Sequence, residues 1–308
     1  MEYRNVGRSG LRVSVAGLGC NNFGMRIDQD AATEVVDAAL DAGITFFDTA
    51  RIYGGGKSEV MLGKALGARR ADVIVATKFG LGIGPDDAGG SRRHIMRSVE
   101  TSLTALGTDW IDLLQLHFPD PTTPVEETLG ALDDLVREGK VRYVGCSNFT
   151  GWMIADAHWT AVTEHLEAFV SLQNEWSLLN RAIETEVVGA CERFQLGVIP
   201  YFPLASGLLT GKVRRGEAPP STSRLSADHF AGALTDANFD KLEALEAWGS
   251  EHGRSLTEVA LSWLASQPVV ASVIAGATSR EQVVANAAAT RTELAPHELV
   301  AIGDLVGR

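Results

Sequence analysis

AATEVVDAALDAGITFFD, residues 31–48, holds the repeating unit of this chain. Apolar residues recur at helical spacing through its first part, and Gly43 closes the run as a helix terminator. Ile44-Thr45-Phe46-Phe47 then reads as a short β-strand, with the polar Asp48 directly after it. Helix, glycine, strand and polar residue are the parts from which the rest of the chain is built.

Further strands are expected at Val15–Leu18, Val73–Ala76, Ile111–Leu116, Val141–Cys146, Phe169–Leu172, Gly197–Tyr201 and Val269–Ile274, which with Ile44–Phe47 makes eight. HIMRSVETSLTALG (94–107) and VEETLGALDDLVREG (125–139) repeat the glycine-closed helix, the second opened by Pro124. Strand–helix alternation implies a parallel sheet with right-handed crossovers. Eight units in 308 residues fit a closed (β/α)8 TIM barrel, one domain over residues 1–308. An N-terminal β-hairpin is expected around the turn Gly7-Arg8-Ser9-Gly10. The open, doubly wound alternative lacks its fingerprint, because GLGCNNFG (17–24) has no third glycine at the required spacing. A phosphate loop fails as well, since Arg51 stands where the first glycine would precede Gly56-Lys57-Ser58. One connection is long: 68 positions separate Tyr201 from Val269, and the stretch 212–230 is rich in Pro, Ser and charge. Such a loop after the seventh strand is functional or mobile by default. Helices near 239–250 and 257–266 follow it.

The net charge of −12 speaks against nucleic acid or an anionic membrane surface as partner. No apolar run reaches the roughly 18 residues of a membrane span, and the N-terminus does not read as a secretory signal. The expectation is a cytoplasmic monomer acting on a small molecule. Cys20, Cys146 and Cys191 have no paired spacing and read as buried free thiols, with no metal site.

Barrel enzymes carry their chemistry at the C-terminal ends of the strands. Those ends hold Gly19-Cys20-Asn21, Asp48, Lys78, His117, Ser147-Asn148, Gln173-Asn174 and Tyr201, polar groups directly after apolar runs. Tyr53 follows Asp48 in the same loop. Asp, Tyr, Lys and His together form a proton-transfer set that needs no metal. A phenol of pKa about 10 is too weak an acid at neutral pH unless an ammonium stabilises its phenolate. A carboxylate holds that ammonium, and a neutral imidazole orients a carbonyl oxygen. A metal-dependent barrel hydrolase would need several His and carboxylate ligands at strand ends, where only His117 stands.

GITFFDTARIYGGGKSEVMLGKAL (43–66), VIVATKFG (73–80), DWIDLLQLHFPD (109–120), GKVRYVGCSNFTGW (139–152) and VIPYFPLASGLLTGK (198–212) carry a resemblance to the aldo-keto reductase superfamily over residues 3–290. FPLASGLLTGK resembles most the bacterial reductases related to potassium-channel β subunits. The resemblance implies carbonyl reduction with NADP(H), Tyr53 as general acid, Lys78, paired with Asp48, lowering its pKa, and His117 positioning the carbonyl. It implies that Gly19, Cys20, Asn21 and Asp48 border the cofactor, that Ser147, Asn148 and Gln173 meet the nicotinamide carboxamide, and that Trp176 stacks on the ring beside Tyr201. The long loop resembles a belt over the pyrophosphate, to which Phe202, Leu204, Ser206, Gly207, Leu208 and Lys212 would contribute contacts, and Arg224 matches a family position that can reach the ribose phosphate. Gly276, Thr278, Ser279, Arg280, Gln282 and Asn286 resemble the adenosine segment, with a 2′-phosphate near Ser279, Arg280 and Gln282. Ala275, Ala285 and Arg280 depart from frequent family choices, while Lys212, Arg224 and Arg280 favour NADP(H) over NAD(H). Phe23, Met25, Phe118 and Trp176 would form an apolar rim suited to medium-sized or aromatic aldehydes and ketones. The competing reading is a cofactor-binding, redox-sensing regulatory subunit with little turnover.

Overall fold

The computed structural model describes residues 1–82, 87–220, 224–226 and 232–307. The eight expected strands form one parallel sheet: β3 (Ala16–Gly19), β4 (Phe46–Asp48), β5 (Ile74–Phe79), β6 (Ile111–Leu116), β7 (Val141–Ser147), β8 (Ser171–Gln173), β9 (Gly197–Val198) and β10 (Val273–Gly276). Their spatial order is β10-β3-β4-β5-β6-β7-β8-β9. Val198 bridges Val270, with Val198 N donating to Val269 O (2.8 Å) and Ala271 N to Val198 O (2.9 Å), so the ring closes. This is the (β/α)8 barrel expected from the alternation.

The closing bridge explains the largest shift in strand limits. Val269 and Val270 serve the seam with β9, so the last strand runs Val273–Gly276 instead of Val269–Ile274. β9 is also shorter than Gly197–Tyr201, and β8 is Ser171–Gln173 instead of Phe169–Leu172. Asp48 and Lys78 are not beyond their strands but within them, Asp48 closing β4 and Lys78 next to last in β5.

Helices α1 (Gln29–Asp41), α2 (Lys57–Leu66), α3 (Arg92–Leu106), α4 (Val125–Arg137), α5 (Gly151–Glu164), α6 (Val187–Phe194), α8 (Leu256–Ala265) and α9 (Arg280–Ala289) surround the barrel, with α7 (Asp236–Glu251) and α10 (Pro296–Val306) beside α8. Five of them, α1, α5, α7, α8 and α9, start on side-chain caps: Asp28, Thr150, Thr235, Ser255 and Ser279 accept from backbone N–H groups of the first turn.

Strand side chains alternate between two cores. Phe47, Val75, Leu114, Val144 and Leu172 face the helices with Val35, Leu62, Val99 and Leu132. Phe46, Ala76, Leu113, Ile199 and Ile274 fill the barrel interior. The antiparallel hairpin β1 (Tyr3–Asn5) and β2 (Arg12–Ser14) delivers Val6, Leu11 and Val13 to that inner cluster. It therefore plugs the N-terminal end. Burying each large apolar side chain contributes about 1.5–3 kcal/mol. Two residues beyond the inner apolar layer, the same inward face turns polar: Phe46 is followed by Asp48, Ala76 by Lys78, Leu113 by Gln115. The barrel is thus dry below and polar at its mouth.

Candidate active site

Tyr53 enters the site through a turn made for close approach. It starts a short 3-10 helix, Tyr53–Gly56, in which Gly54, Gly55 and Gly56 have φ of 59°, 65° and 90°. A Cβ on Gly54 would stand 2.4 Å from Phe23 O, so only glycine lets this turn press against the loop after β3. The turn brings the phenol to the lysine on β5. Lys78 Nζ donates to Asp48 Oδ1 (2.6 Å), Thr49 O (2.8 Å) and the Tyr53 hydroxyl (3.5 Å), which occupies all three ammonium hydrogens. Asp48 Oδ2 accepts from Gln173 Nε2 at 2.8 Å. Lys78 and Asp48 are both buried, so the pair lies in a low-dielectric interior where neither charge is tolerable alone.

Burial sets the electrostatics. It pushes the Tyr53 phenol above its usual value, outweighing the downward pull of Lys78, and Asp48 adds to the rise. Lys78 thus acts in the expected direction, lowering the phenol through its charge and its hydrogen bond, but it offsets desolvation without overcoming it. For Lys78 desolvation acts downward, but Asp48 and Tyr53 together raise it, so it stays an ammonium. His117 is pushed down to about 3, first by burial and then by the Lys78 charge. Its ring meets Tyr53 edge to face (centroids 5.9 Å apart, 82°) and stacks on Phe118 (5.6 Å). Asp48, Tyr53, Lys78 and His117, widely spaced in sequence, are therefore brought together with a neutral imidazole, a neutral phenol and a buried ion pair.

A second wall comes from β7, β8 and the start of the long loop. Ser147 Oγ donates to Gln173 O (2.6 Å), and Asn148 Nδ2 donates to His117 O (2.9 Å). Asn148 has φ 61°, a region asparagine tolerates better than most residues, and its N–H is held by Asn174 Oδ1 at 2.6 Å. The Tyr201 hydroxyl donates to Asn148 Oδ1 at 2.8 Å. Trp176 departs from the stacking role expected of it. It is 1% exposed, its ring edge packs on Trp263 (5.8 Å), and its indole N–H donates to Glu184 Oε1 (3.0 Å). Its faces belong to the core, and the half-buried aromatic at the mouth is Tyr201.

Several other expected contacts change character. Cys20 is buried with its thiol directed to Leu18 O, so only its backbone borders the mouth, beside Gly19 and the half-buried Asn21. Phe202, Ala205, Ser206 and Gly207 all have positive φ (51°, 47°, 59°, 104°), a tightly wound backbone. Leu204 is half-buried, Leu208 fully buried, and Lys212 exposed. Arg224 reaches back to Asn22 Oδ1 (3.2 Å), with its guanidinium 5.4 Å from the Phe202 ring centroid. Ser279 caps α9, and Gln282 Oε1 accepts from Thr278 N (3.0 Å). Gly276 is exposed beside Asn21. Arg280 pairs with Asp41 at the surface (2.8 Å). Asn286 is half-buried on α9, beside a small cavity that Gly17, Leu18 and Ala275 also line. Of the expected rim, Phe118 and Met25 are 45% and 63% exposed, whereas Phe23, like Trp176, is buried in the core.

Residues that sequence reasoning did not single out also shape the site. Gln115 is fully buried with its amide 3.4 Å from Asp48 Oδ2. Glu59 accepts from Thr77 Oγ1 at 2.6 Å, and burial raises its carboxyl despite bonds from Thr77 and Ser102. Period-two alternation along β6 would have found Gln115. No helix among the described residues is long and apolar enough to cross a membrane, and none of their His, Cys, Asp and Glu side chains form a group of three suited to a metal.

The sequence model of the Aldo/keto reductase family matches residues 16–306. A rice protein named probable voltage-gated potassium channel subunit beta is 40% identical over 296 residues, 93% of this chain and 90% of its own. An uncharacterized oxidoreductase of Bacillus subtilis, YrpG, is 40% identical over 296 residues, 92% of this chain and 89% of its own. The L-glyceraldehyde 3-phosphate reductase of Escherichia coli O157:H7 is 33% identical over 311 residues, 93% and 86%. With a matching fold and a matched segment that takes in Asp48, Tyr53, Lys78 and His117, this chain belongs to the aldo/keto reductase family.

Proposed function

We propose that this protein reduces aldehydes or ketones to alcohols with NADP(H), using Tyr53 as the general acid. The observation that carries this reading is the ammonium of Lys78, held by Asp48 and Thr49 O while it contacts the Tyr53 hydroxyl. A phenol with a raised pKa stays protonated at neutral pH and keeps the proton that a developing alkoxide requires. As that proton leaves, Lys78 faces the phenolate, so charge develops beside a fixed counter-ion in a site already organised for it. His117, neutral because its pKa is near 3, offers a hydrogen bond to the carbonyl oxygen without competing as an acid. The Tyr53 phenolate is reprotonated from solvent, which balances the proton consumed per turnover.

The cofactor, when bound, supplies the hydride. The residues present fit such a group. Ser147, Asn148 and Gln173 offer a preformed amide-binding wall, and Tyr201 offers the aromatic face that Trp176 does not. The positive-φ backbone at Phe202, Ala205, Ser206 and Gly207, with Arg224, Lys212 and the capped start of α9, supplies donors for phosphates. Arg224 is the stronger support for the 2′-phosphate, since Arg280 is engaged with Asp41. Phe118 and Met25 give an apolar rim for a medium-sized or aromatic carbonyl compound.

The rice relative's name points to a channel subunit, but the full proton-transfer set favours turnover in this chain. The test is oxidation of NADPH and NADH with a nitrobenzaldehyde and a panel of ketones. Aldehyde-dependent loss of NADPH absorbance, faster than with NADH, is the expected result. Tight cofactor binding without turnover on any carbonyl would favour the sensing role instead.

A further inference from the structure

The mouth of the barrel contains a polar side chain that the proton-transfer set does not account for. Gln115 lies on β6, fully buried, two residues before His117 and in register with Lys78 on β5. Its Nε2 is 3.4 Å from Asp48 Oδ2, and Ser171 Oγ on β8 is 3.4 Å from its Oε1. The amide orientation follows from its neighbours. A carboxylate accepts only, so Gln115 must turn its NH2 to Asp48, and the carbonyl then needs a donor, which the Ser171 hydroxyl provides. The backbone is shaped to allow this. A Cβ on Gly145 would stand 2.1 Å from Ser171 Oγ and 3.2 Å from Gln115 Cγ, so a side chain there would break the chain of contacts.

We propose that Gln115, oriented by Ser171, is a positioning residue for the proton-transfer set: it holds Asp48 Oδ2 so that Oδ1 stays directed at Lys78. This inference rests on the reading of Tyr53 as proton donor. The polar line runs Ser171, Gln115, Asp48, Lys78, Tyr53 across four strands and the loop after β4. Asp48 makes its two oxygens available to different jobs, Oδ1 to the ammonium and Oδ2 to the amides of Gln173 and Gln115. Gln173 also belongs to the proposed nicotinamide wall, which leaves Gln115 as the amide on Asp48 that takes no part in that wall. Without it, the charge on Asp48 is less compensated and draws harder on Lys78. Lys78 then supports the Tyr53 phenolate less, and Tyr53 becomes a weaker acid.

The test is the pH dependence of kcat for alcohol oxidation in the full chain, with Gln115→Leu, Gln115→Glu and Ser171→Ala beside Tyr53→Phe. Gln115→Leu should move the rising limb upward by about half a unit to one unit and lower kcat at pH 7 about three- to tenfold. KM and cofactor affinity should stay within about twofold, as expected for a group acting through Asp48. Gln115→Glu should move the limb further, because two carboxylates would then share the pocket. Ser171→Ala should shift it in the same direction by less, and it removes only a hydroxyl, so it serves if Gln115→Leu does not fold. A folded Gln115→Leu protein, or failing that a Ser171→Ala protein, whose profile superimposes on the wild type overturns the proposal. If Tyr53→Phe retains turnover, the proton-donor reading itself fails. If Tyr53→Phe is inactive while the Gln115 profile is unchanged, only the role of Gln115 fails.

Discussion

Lys78 Nζ lies 2.6 Å from Asp48 Oδ1 and 3.5 Å from the Tyr53 hydroxyl, so the lysine is anchored by the carboxylate and only touches the phenol. The asymmetry assigns different consequences to the two partners. Loss of Asp48 strands a buried ammonium, whereas loss of Tyr53 removes a single long contact.

Asp48→Asn is accordingly expected to destabilise the fold by about 3–5 kcal/mol, because one charge of a buried pair remains unpaired. The double variant Asp48→Leu/Lys78→Met, which removes both charges, should cost less than Asp48→Asn alone. Urea denaturation of the three proteins checks the order. A double variant less stable than Asp48→Asn would mean that the pair is not the buried ion pair described here.

Lys78→Met should lower kcat by about 10²–10⁴, the usual contribution of assisted proton transfer. The KM for the carbonyl should change little, since Lys78 has no exposed surface to offer a substrate. Steady-state kinetics with a nitrobenzaldehyde separates the two parameters. A rise in KM at constant kcat would assign Lys78 to binding instead.

Tyr201 and Trp176 should divide cleanly. Trp176→Ala removes a core ring packed on Trp263 and should cost about 3–5 kcal/mol of stability. Tyr201→Ala should weaken cofactor binding with a much smaller loss of stability, the ring being half-buried at the mouth. Cofactor titration by protein fluorescence, paired with thermal unfolding, distinguishes them. Weakened cofactor binding in a stable, folded Trp176→Phe protein would restore the stacking role to Trp176.

His117 gives the protein an acid-sensitive element. Its pKa is near 3 in the fold against about 6.5 unfolded, so the unfolded chain binds the extra proton between those values. Stability from this group is complete above pH 6.5, falls as pH drops toward 3 and levels below that. His117→Gln should flatten the decline of Tm with falling pH over that window. An unchanged slope would mean that His117 is protonated in the native state.

The barrel was legible because strand–helix alternation and glycine stops are local signals, and the polar strand ends marked Asp48, Lys78 and His117 directly. What was not legible depends on which way a side chain turns. Trp176 and Phe23 sit beside site residues in sequence, yet both point into the outer core, a distinction set by loop geometry that composition does not carry. Gln115 was concealed for the opposite reason: it lies inside an apolar strand and looks like part of it, and only the two-residue rhythm from Leu113 shows it facing Asp48. Arg280 reads as a free cation until Asp41, 239 positions away in sequence, is found beside it. The closing bridge of Val198 with Val270 likewise joins distant segments, and it moved the limits of the last strand.

The role of Tyr53 as proton donor is tested most directly by Tyr53→Phe, which removes one hydroxyl and keeps the ring against His117. Carbonyl reduction is measured with cofactor in excess, and cofactor affinity is measured separately. A fall in kcat of about 10²–10⁴ with cofactor affinity unchanged is the expected result. Turnover within a few-fold of wild type in a protein that binds cofactor normally would contradict it.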